Sequence, residues 1–169
     1  MKRLMVLRHA KSSWKNHDLS DHDRPLNKRG TRDAPRVGSL LREQGLVPEW
    51  AFSSTANRAR VTLDLALEES GATCEASRVA ELYLAAPADI VDVLRGTPEP
   101  VSRALVVGHN PGMEDLVQGL TGEEVIFPTA ALAVIDCEIE QWADLALTGV
   151  ETLVRLWIPR ELADDSGPA

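Results

Sequence analysis

Short apolar runs alternate along this chain with longer segments in which apolar residues recur every three or four positions. The runs at residues 4–7 and 104–107 are typical of strands buried on both faces of a parallel sheet, and residues 50–54 form a further strand candidate. The helical spacing elsewhere predicts four helices. The first begins near Asn27 or Thr31 and ends near Gly45, and the second begins within residues 55–60 and ends near Gly71. The third runs from about Pro87 to Leu94, and the fourth begins at Pro111, after an Asn110 cap, and ends near Gly122.

The order of these elements predicts an α/β fold with three layers, α/β/α, around a mostly parallel sheet. Residues 74–79 form a minor strand candidate, and residues 130–135 and 153–158 are expected to complete the sheet as antiparallel strands. Pro35 leaves the exact start of the first helix open, because proline fits best in a first turn. We expect one domain over residues 1–160 and a frayed tail over residues 161–169.

Polar side chains follow the predicted strands at the points where these strands end. Arg8 and His9 come directly after the first apolar run, His109 follows the run at residues 104–107, and Arg58 lies in the first turn of a helix that follows a strand. The carboxyl ends of parallel strands meet at one edge of a sheet, where ligands of α/β proteins bind. We therefore expect these four side chains to converge.

Such a group suits phosphoryl chemistry. Two arginines can hold a phosphoryl group and balance the charge on its oxygens, one neutral histidine can attack phosphorus, and a second can stabilise the transition state. The chemistry requires no metal, and neither a DxD nor an HxH pair stands at these strand ends. Each residue also has a structural explanation: a surface turn for Arg8 and His9, a solvated helix face for Arg58, and a hydrogen-bonded core position for His109.

Composition limits the remaining classes of function. With 169 residues, 44% hydrophobic and 26% charged, the chain resembles an ordinary globular domain without a membrane-spanning run or a signal peptide, and we expect a cytoplasmic protein. The formal charge of −8 argues against nucleic acid as a partner, so an anion site would need locally concentrated positive charge. Cys74 and Cys137 show neither zinc-site spacing nor a catalytic context, and no cofactor is expected.

Four sequence motifs occur in an order that resembles the histidine phosphatase superfamily, whose fold is phosphoglycerate mutase-like. The segments are Leu7-Arg8-His9-Ala10-Lys11-Ser12, Asp21-His22-Asp23-Arg24-Pro25-Leu26, Ser53-Ser54-Thr55-Ala56-Asn57-Arg58-Ala59 and Val107-Gly108-His109-Asn110-Pro111. The short chain and the second and fourth motifs look most like the small phosphohistidine phosphatases of the SixA type.

This resemblance implies roles for individual residues. His9 would be the phosphorylated nucleophile, Arg8 and Arg58 the phosphate clamp, and His109 a second histidine of the phosphate pocket. The roles of Arg24, Asp21 and Glu81 stay open. Arg24 is either a further phosphate contact or a loop arginine paired with Asp21 or Asp23, and the proton donor is either Asp21 or Glu81, the latter otherwise a surface acid.

The sequence therefore predicts a metal-independent phosphatase that forms a phosphohistidine intermediate. Its expected substrate is phosphohistidine on a partner protein, because a small domain without large insertions leaves its pocket open to a bulky substrate. A small phosphorylated metabolite is the alternative within the enzyme class. A non-catalytic phosphate-binding module is the alternative outside it.

Overall fold

A computed structural model describes residues 1–160 and contains six strands and four α-helices in this range. The predicted frayed tail at residues 161–169 lies outside the described residues. The elements in chain order are β1 (Lys2–Arg8), α1 (Lys28–Glu43), β2 (Trp50–Ser54), α2 (Asn57–Ser70), β3 (Glu75–Val79), α3 (Pro87–Leu94), β4 (Arg103–Gly108), α4 (Gly112–Thr121), β5 (Leu132–Cys137) and β6 (Thr152–Trp157).

The strands form one sheet in the order β3-β2-β4-β1-β5-β6. The four strands β3, β2, β4 and β1 run parallel to one another. β5 pairs antiparallel with β1, and β6 pairs antiparallel with β5. The predicted α/β class, the mostly parallel sheet and its antiparallel completion are therefore confirmed. The order places β1 and β4 at the centre, so their carboxyl ends are adjacent.

The central strands are apolar on both faces because each face packs against helices. In β1, Leu4 and Val6 belong to the core shared with α3 and α4, whereas Met5 and Leu7 belong to the core shared with α1 and α2. All four side chains are fully buried. At about 1.5–3 kcal/mol for each buried large side chain, β1 is a major source of stability and a rigid base for the residues that follow it.

Two helix starts differ in detail from the sequence pattern. Asn27, rather than Thr31, caps α1: its Oδ1 accepts a hydrogen bond from the Gly30 backbone N–H at 2.9 Å. Pro35 then lies inside α1 rather than in its first turn, so its first-turn preference does not mark the helix start.

The start of α4 lies one residue later than predicted. Pro111 occupies the cap position and Gly112 is the first helical residue, because the Pro111 carbonyl accepts the hydrogen bond from the Asp115 N–H at 2.9 Å. Asn110 instead uses its side-chain amide to donate to the Phe127 carbonyl at 2.8 Å. Among the described residues, none of the helices has the length and apolar character needed to cross a membrane.

Candidate active site

A cavity of about 220 Å³ opens where β1, β2 and β4 end and the following loops and helices begin. Six of the seven predicted site residues line it: Arg8, His9, Asp21, Arg24, Arg58 and His109. Its other described lining residues are Lys11, Ser12, Trp14, Leu84, Asn110 and Thr129. The structure thus brings together side chains that are separated by a hundred positions in the sequence. Glu81 is exposed and does not line this cavity.

His9 directly follows β1 and is 7% exposed. Its Nδ1 lies 2.7 Å from the Ala10 carbonyl oxygen, which can only accept, so Nδ1 carries the proton and Nε2 holds the lone pair. Burial lowers the pKa of His9 to about 4; the hydrogen bond to Ala10 opposes this shift, and the charges of Arg58, Arg8 and Arg24 add to it. His9 is therefore a neutral imidazole at neutral pH, with one defined tautomer.

His109 follows β4, is 3% exposed, and has its ring centroid 5.2 Å from that of His9. Its Nε2 lies 2.8 Å from Ser54 Oγ, which already accepts from the Ala56 N–H and can donate its own proton to Nε2. The proton of His109 then lies on Nδ1, a buried atom with no hydrogen-bond partner among the described residues. Burial, followed by the neighbouring His9 and Arg58, lowers the pKa of His109 to about 3.

Arg58 is 3% exposed and lies in the first turn of α2. Its Nη1 donates to the Asp21 carbonyl at 2.6 Å and its Nη2 to Asp21 Oδ2 at 3.0 Å. Thr62, one turn further along α2, donates to the Arg58 carbonyl and accepts from the Ala10 N–H. This threonine therefore fixes the start of α2 against the segment that follows His9.

The other two arginines are held by backbone and side-chain acceptors. Arg8 Nη1 donates to the Phe127 carbonyl at 3.1 Å, while its buried Nε has no partner among the described residues. Arg24 Nη1 donates to Asp21 Oδ1 at 2.9 Å and its Nη2 to Ser12 Oγ. A guanidinium has five N–H donors, so each arginine keeps donors for a further anion.

The Asp21 carboxylate accepts hydrogen bonds from Arg24 and Arg58 and so links these two arginines on the loop side of the cavity. It accepts a third hydrogen bond from Tyr83 Oη. The bond from Tyr83, followed by those from Arg24 and Arg58, holds the pKa of Asp21 well below its usual range. The carboxyl group is therefore ionised and acts as a hydrogen-bond acceptor. It is the one acidic residue among the described residues that line the cavity.

Sequence patterns did not single out the contributions of Ser54, Thr62 and Tyr83. Ser54 and Thr62 act through hydrogen bonds to His109 and to the Ala10 and Arg58 backbone. Tyr83 donates to Asp21 and packs edge-on against the His109 ring, with centroids 5.4 Å apart. The available signals were the place of Ser54 within the third motif and that of Thr62 shortly after it, and neither indicated a role.

The arrangement can bind a tetrahedral oxyanion. Three arginines and Lys11 face one carboxylate around a small cavity, so positive charge is concentrated there although the chain carries a formal charge of −8. A search of the described residues finds no group of three or more His, Cys, Asp and Glu side chains that could hold a metal ion. The neutral His9 lies within this cationic lining as a potential nucleophile.

Comparisons with known proteins match both the sequence and the fold. The model of the histidine phosphatase superfamily (branch 1) matches residues 4–82. An uncharacterized protein of Mycobacterium tuberculosis is 33% identical over 165 residues, which cover 91% of this chain and 100% of that relative.

Two solved structures of the SixA type superimpose on nearly the whole chain. A SixA protein from Agrobacterium tumefaciens is 28% identical with a TM-score of 0.80, covering 94% of this chain and 98% of that one. The protein histidine phosphatase SixA complexed with tungstate is 25% identical with a TM-score of 0.80, covering 95% and 99%. These matches confirm the resemblance noted in the sequence motifs, and the chain belongs to the histidine phosphatase superfamily.

Proposed function

We propose that this chain is a phosphatase that works without a metal ion and forms a phosphohistidine intermediate on its own His9. One observation carries the proposal. His9 lines a cavity with Arg8, Arg24 and Arg58, and the hydrogen bond from its Nδ1 to Ala10 leaves the lone pair on Nε2. A neutral, oriented nucleophile beside three phosphate-binding cations is what phosphoryl transfer to a histidine requires.

In the first step, the Nε2 lone pair of His9 attacks phosphorus and forms a P–N bond. The bond between phosphorus and the leaving group breaks, and the leaving atom keeps that electron pair. Charge on the three equatorial oxygens is stabilised by the remaining N–H donors of Arg8, Arg24 and Arg58. His109 supplies a further donor through its buried Nδ1, which has no hydrogen-bond partner within residues 1–160.

In the second step, a water oxygen attacks the phosphorus of the intermediate. The P–N bond to His9 breaks, Nε2 recovers its electron pair, and phosphate leaves with the water oxygen and one of its protons. The other proton passes to solvent or to a phosphate oxygen. Throughout both steps, Nδ1 keeps its proton, which stays hydrogen-bonded to the Ala10 carbonyl oxygen. The ring therefore returns to its starting tautomer.

Phosphohistidine on a protein is the substrate that this site favours. When the distal ring nitrogen of phosphohistidine carries a proton, the ring leaves as neutral imidazole and needs no acid at the bond that breaks. An alkyl ester would leave as an alkoxide, which a general acid must protonate. The ionised Asp21 is a poor general acid, and Glu81 lies outside the cavity. The structural relative named a protein histidine phosphatase, solved with the phosphate-like tungstate, supports the same substrate class.

The test is the release of phosphate from a phosphohistidine protein with and without a metal chelator. We expect equal turnover in both conditions, and a drop of at least about 10³-fold for His9→Ala, in which no intermediate can form. His17→Ala, at an exposed histidine outside the cavity, is the matched control and should keep wild-type turnover. Loss of activity with chelator, or turnover by His9→Ala, would contradict the proposal.

Two alternatives make different predictions in the same assay. A phosphatase of a small metabolite would hydrolyse a sugar phosphate or nucleotide faster than a phosphohistidine protein. A binding module would retain phosphate with no turnover of any phosphoester or phosphoramidate. The intact pair His9 and His109 favours an enzyme over a module, because phosphate binding by the arginines alone would not need an oriented imidazole.

A further inference from the structure

Two large apolar side chains stand exposed on a cavity whose other lining is mostly polar. Trp14 is 65% exposed and Leu84 is 60% exposed, and both line the cavity that contains His9 and the three arginines. Scattered exposed apolar residues are ordinary on a protein surface. Two exposed apolar side chains on one cavity of about 220 Å³ are not explained by the binding of a phosphate group, which is polar on all sides.

Trp14 is fixed in place by Arg24. The guanidinium carbon of Arg24 lies 3.2 Å from the centroid of the Trp14 ring, in a cation–π contact. Arg24 is itself held by hydrogen bonds to Asp21, Ser12 and the Ser13 carbonyl. The indole is therefore ordered, with one face against the guanidinium and most of its surface open to solvent.

Leu84 is held in an unfavourable backbone conformation. Its φ is 51°, in the left-handed region that costs residues other than glycine about 1–2 kcal/mol. Burial offsets little of this cost, since most of the Leu84 side chain is exposed. The preceding Tyr83 is tied to Asp21, so the chain delivers Leu84 to the cavity next to a fixed residue.

We propose that Trp14 and Leu84 form a leaving-group subsite that takes a flat aromatic ring attached to the phosphoryl group. This inference rests on the proposed function, in which the ring is the imidazole of the phosphohistidine substrate. An aromatic ring stacks on an indole and packs against leucine, whereas an alkyl or amino leaving group offers no such face. A cavity of about 220 Å³ holds a phosphoryl group and one small ring, so a larger substrate must extend past these two side chains.

The kinetic test compares two substrates with the same P–N bond, phosphoimidazole and phosphoramidate, of which only the first has a ring. For Leu84→Ser and Trp14→Ser, the kcat/KM of phosphoimidazole relative to phosphoramidate should fall about tenfold. Leu84→Gly should show the same fall and fold at least as well, because glycine accepts the left-handed φ. Val150→Ser, at an exposed residue outside the cavity, is the control and should keep the wild-type ratio.

A binding test separates this proposal from the proposed function. Phenylphosphonate and methylphosphonate are not hydrolysed, so their relative affinity reports the subsite whether or not the protein turns over phosphohistidine. We expect wild-type protein to prefer phenylphosphonate and Leu84→Gly to lose most of that preference. An unchanged preference, or an equal loss of affinity for both phosphonates, would contradict a ring-binding role for Leu84.

The source of the ring is tested with a phosphohistidine protein and free phosphoimidazole. A higher kcat/KM for the protein identifies a side chain that reaches past Trp14 and Leu84 as the natural substrate. Equal values identify a free small molecule with the same ring chemistry. Either result keeps the subsite, whereas a substrate ratio unaffected by Leu84→Gly removes it.

Discussion

The pKa values of His9 and His109 determine how the site responds to pH. Both imidazoles are buried in a positively charged setting, and both effects favour the neutral ring. An ordinary exposed histidine would be about half protonated near pH 6.5, and a protonated His9 has no lone pair for attack on phosphorus. The arginines proposed to hold the phosphate would therefore also keep His9, the proposed nucleophile, unprotonated.

The pH dependence of kcat/KM tests this double role, because it reports ionisations of the free enzyme. His9 is competent when deprotonated, so activity should persist as pH falls and decline only as pH passes through the pKa of about 4. Arg24→Gln removes one of the positive charges and should move this acid limb to higher pH. An acid limb of the wild-type protein centred near pH 6.5 would contradict the inference that His9 is buried and unprotonated.

Among the described residues, Ser54 makes the one hydrogen bond to the His109 ring, from Ser54 Oγ to Nε2 at 2.8 Å. Ser54→Ala leaves both ring nitrogens without a partner, which should cost about 1–3 kcal/mol of stability and lower kcat about tenfold or more. Ser53 is the matched control: it is also fully buried, but its Oγ donates to the Ser54 carbonyl. Ser53→Ala should lower stability without a comparable loss of kcat in the phosphate-release assay. Equal kinetic effects would assign Ser54 a purely structural role.

At the scale of elements, two glycines of α1 allow this helix to approach its neighbours closely. A Cβ at Gly30 would lie 2.1 Å from the Lys11 carbonyl oxygen, in the segment that follows His9. A Cβ at Gly38 would lie 2.5 Å from the Ala66 carbonyl oxygen of α2. The first close approach supports the segment that follows His9 at the candidate active site, and the second supports the packing of the two helices.

Alanine at these two glycines should therefore separate stability from activity. Alanine gains about 1 kcal/mol of helix propensity over glycine, but a clash with backbone costs about 1–3 kcal/mol or more, so both variants should be destabilised. Gly30→Ala should also raise KM for phosphate substrates, because Lys11 and Ser12 line the cavity. Denaturant unfolding and steady-state kinetics measure the two effects. Gly96→Ala is the control at a less crowded site, where a Cβ would lie 3.3 Å from the Val93 carbonyl oxygen. A Gly38→Ala variant with the larger kinetic defect would contradict this assignment.

The sequence predicted the elements whose apolar pattern is local and missed contacts between distant segments. β1 and β4 were predictable because continuous apolar runs have one stable location, a sheet covered on both faces. The convergence of His9 and His109 followed from strand ends alone. Tyr83 and Asp21, in contrast, are 62 positions apart and meet through loops that carry no periodicity. Glu81 was proposed as a donor from its place in the chain, but the turn that contains it presents Tyr83 and Leu84 to the site instead.

At the scale of the whole molecule, the buried histidines of the candidate active site are expected to reduce stability in acid. At about pH 7.5 and above, the two imidazoles are mostly neutral in both the folded and the unfolded chain. Between pH 6.5 and the folded pKa values of about 4 for His9 and about 3 for His109, the unfolded chain binds protons that the folded chain does not. The free energy of unfolding should therefore decrease as the pH falls through this range.

The contribution of the site to this pH dependence can be isolated by replacing the two histidines. In a His9→Asn, His109→Gln double variant, the free energy of unfolding should vary less between about pH 7.5 and pH 4.5 than in the wild-type protein. His17→Ala, at an exposed position outside the cavity, should retain the wild-type slope. Denaturant titrations at a series of pH values measure these slopes. Parallel slopes for the wild-type protein and the double variant would mean that the folded protein takes up protons at these imidazoles as readily as the unfolded chain, which their burial among arginines opposes.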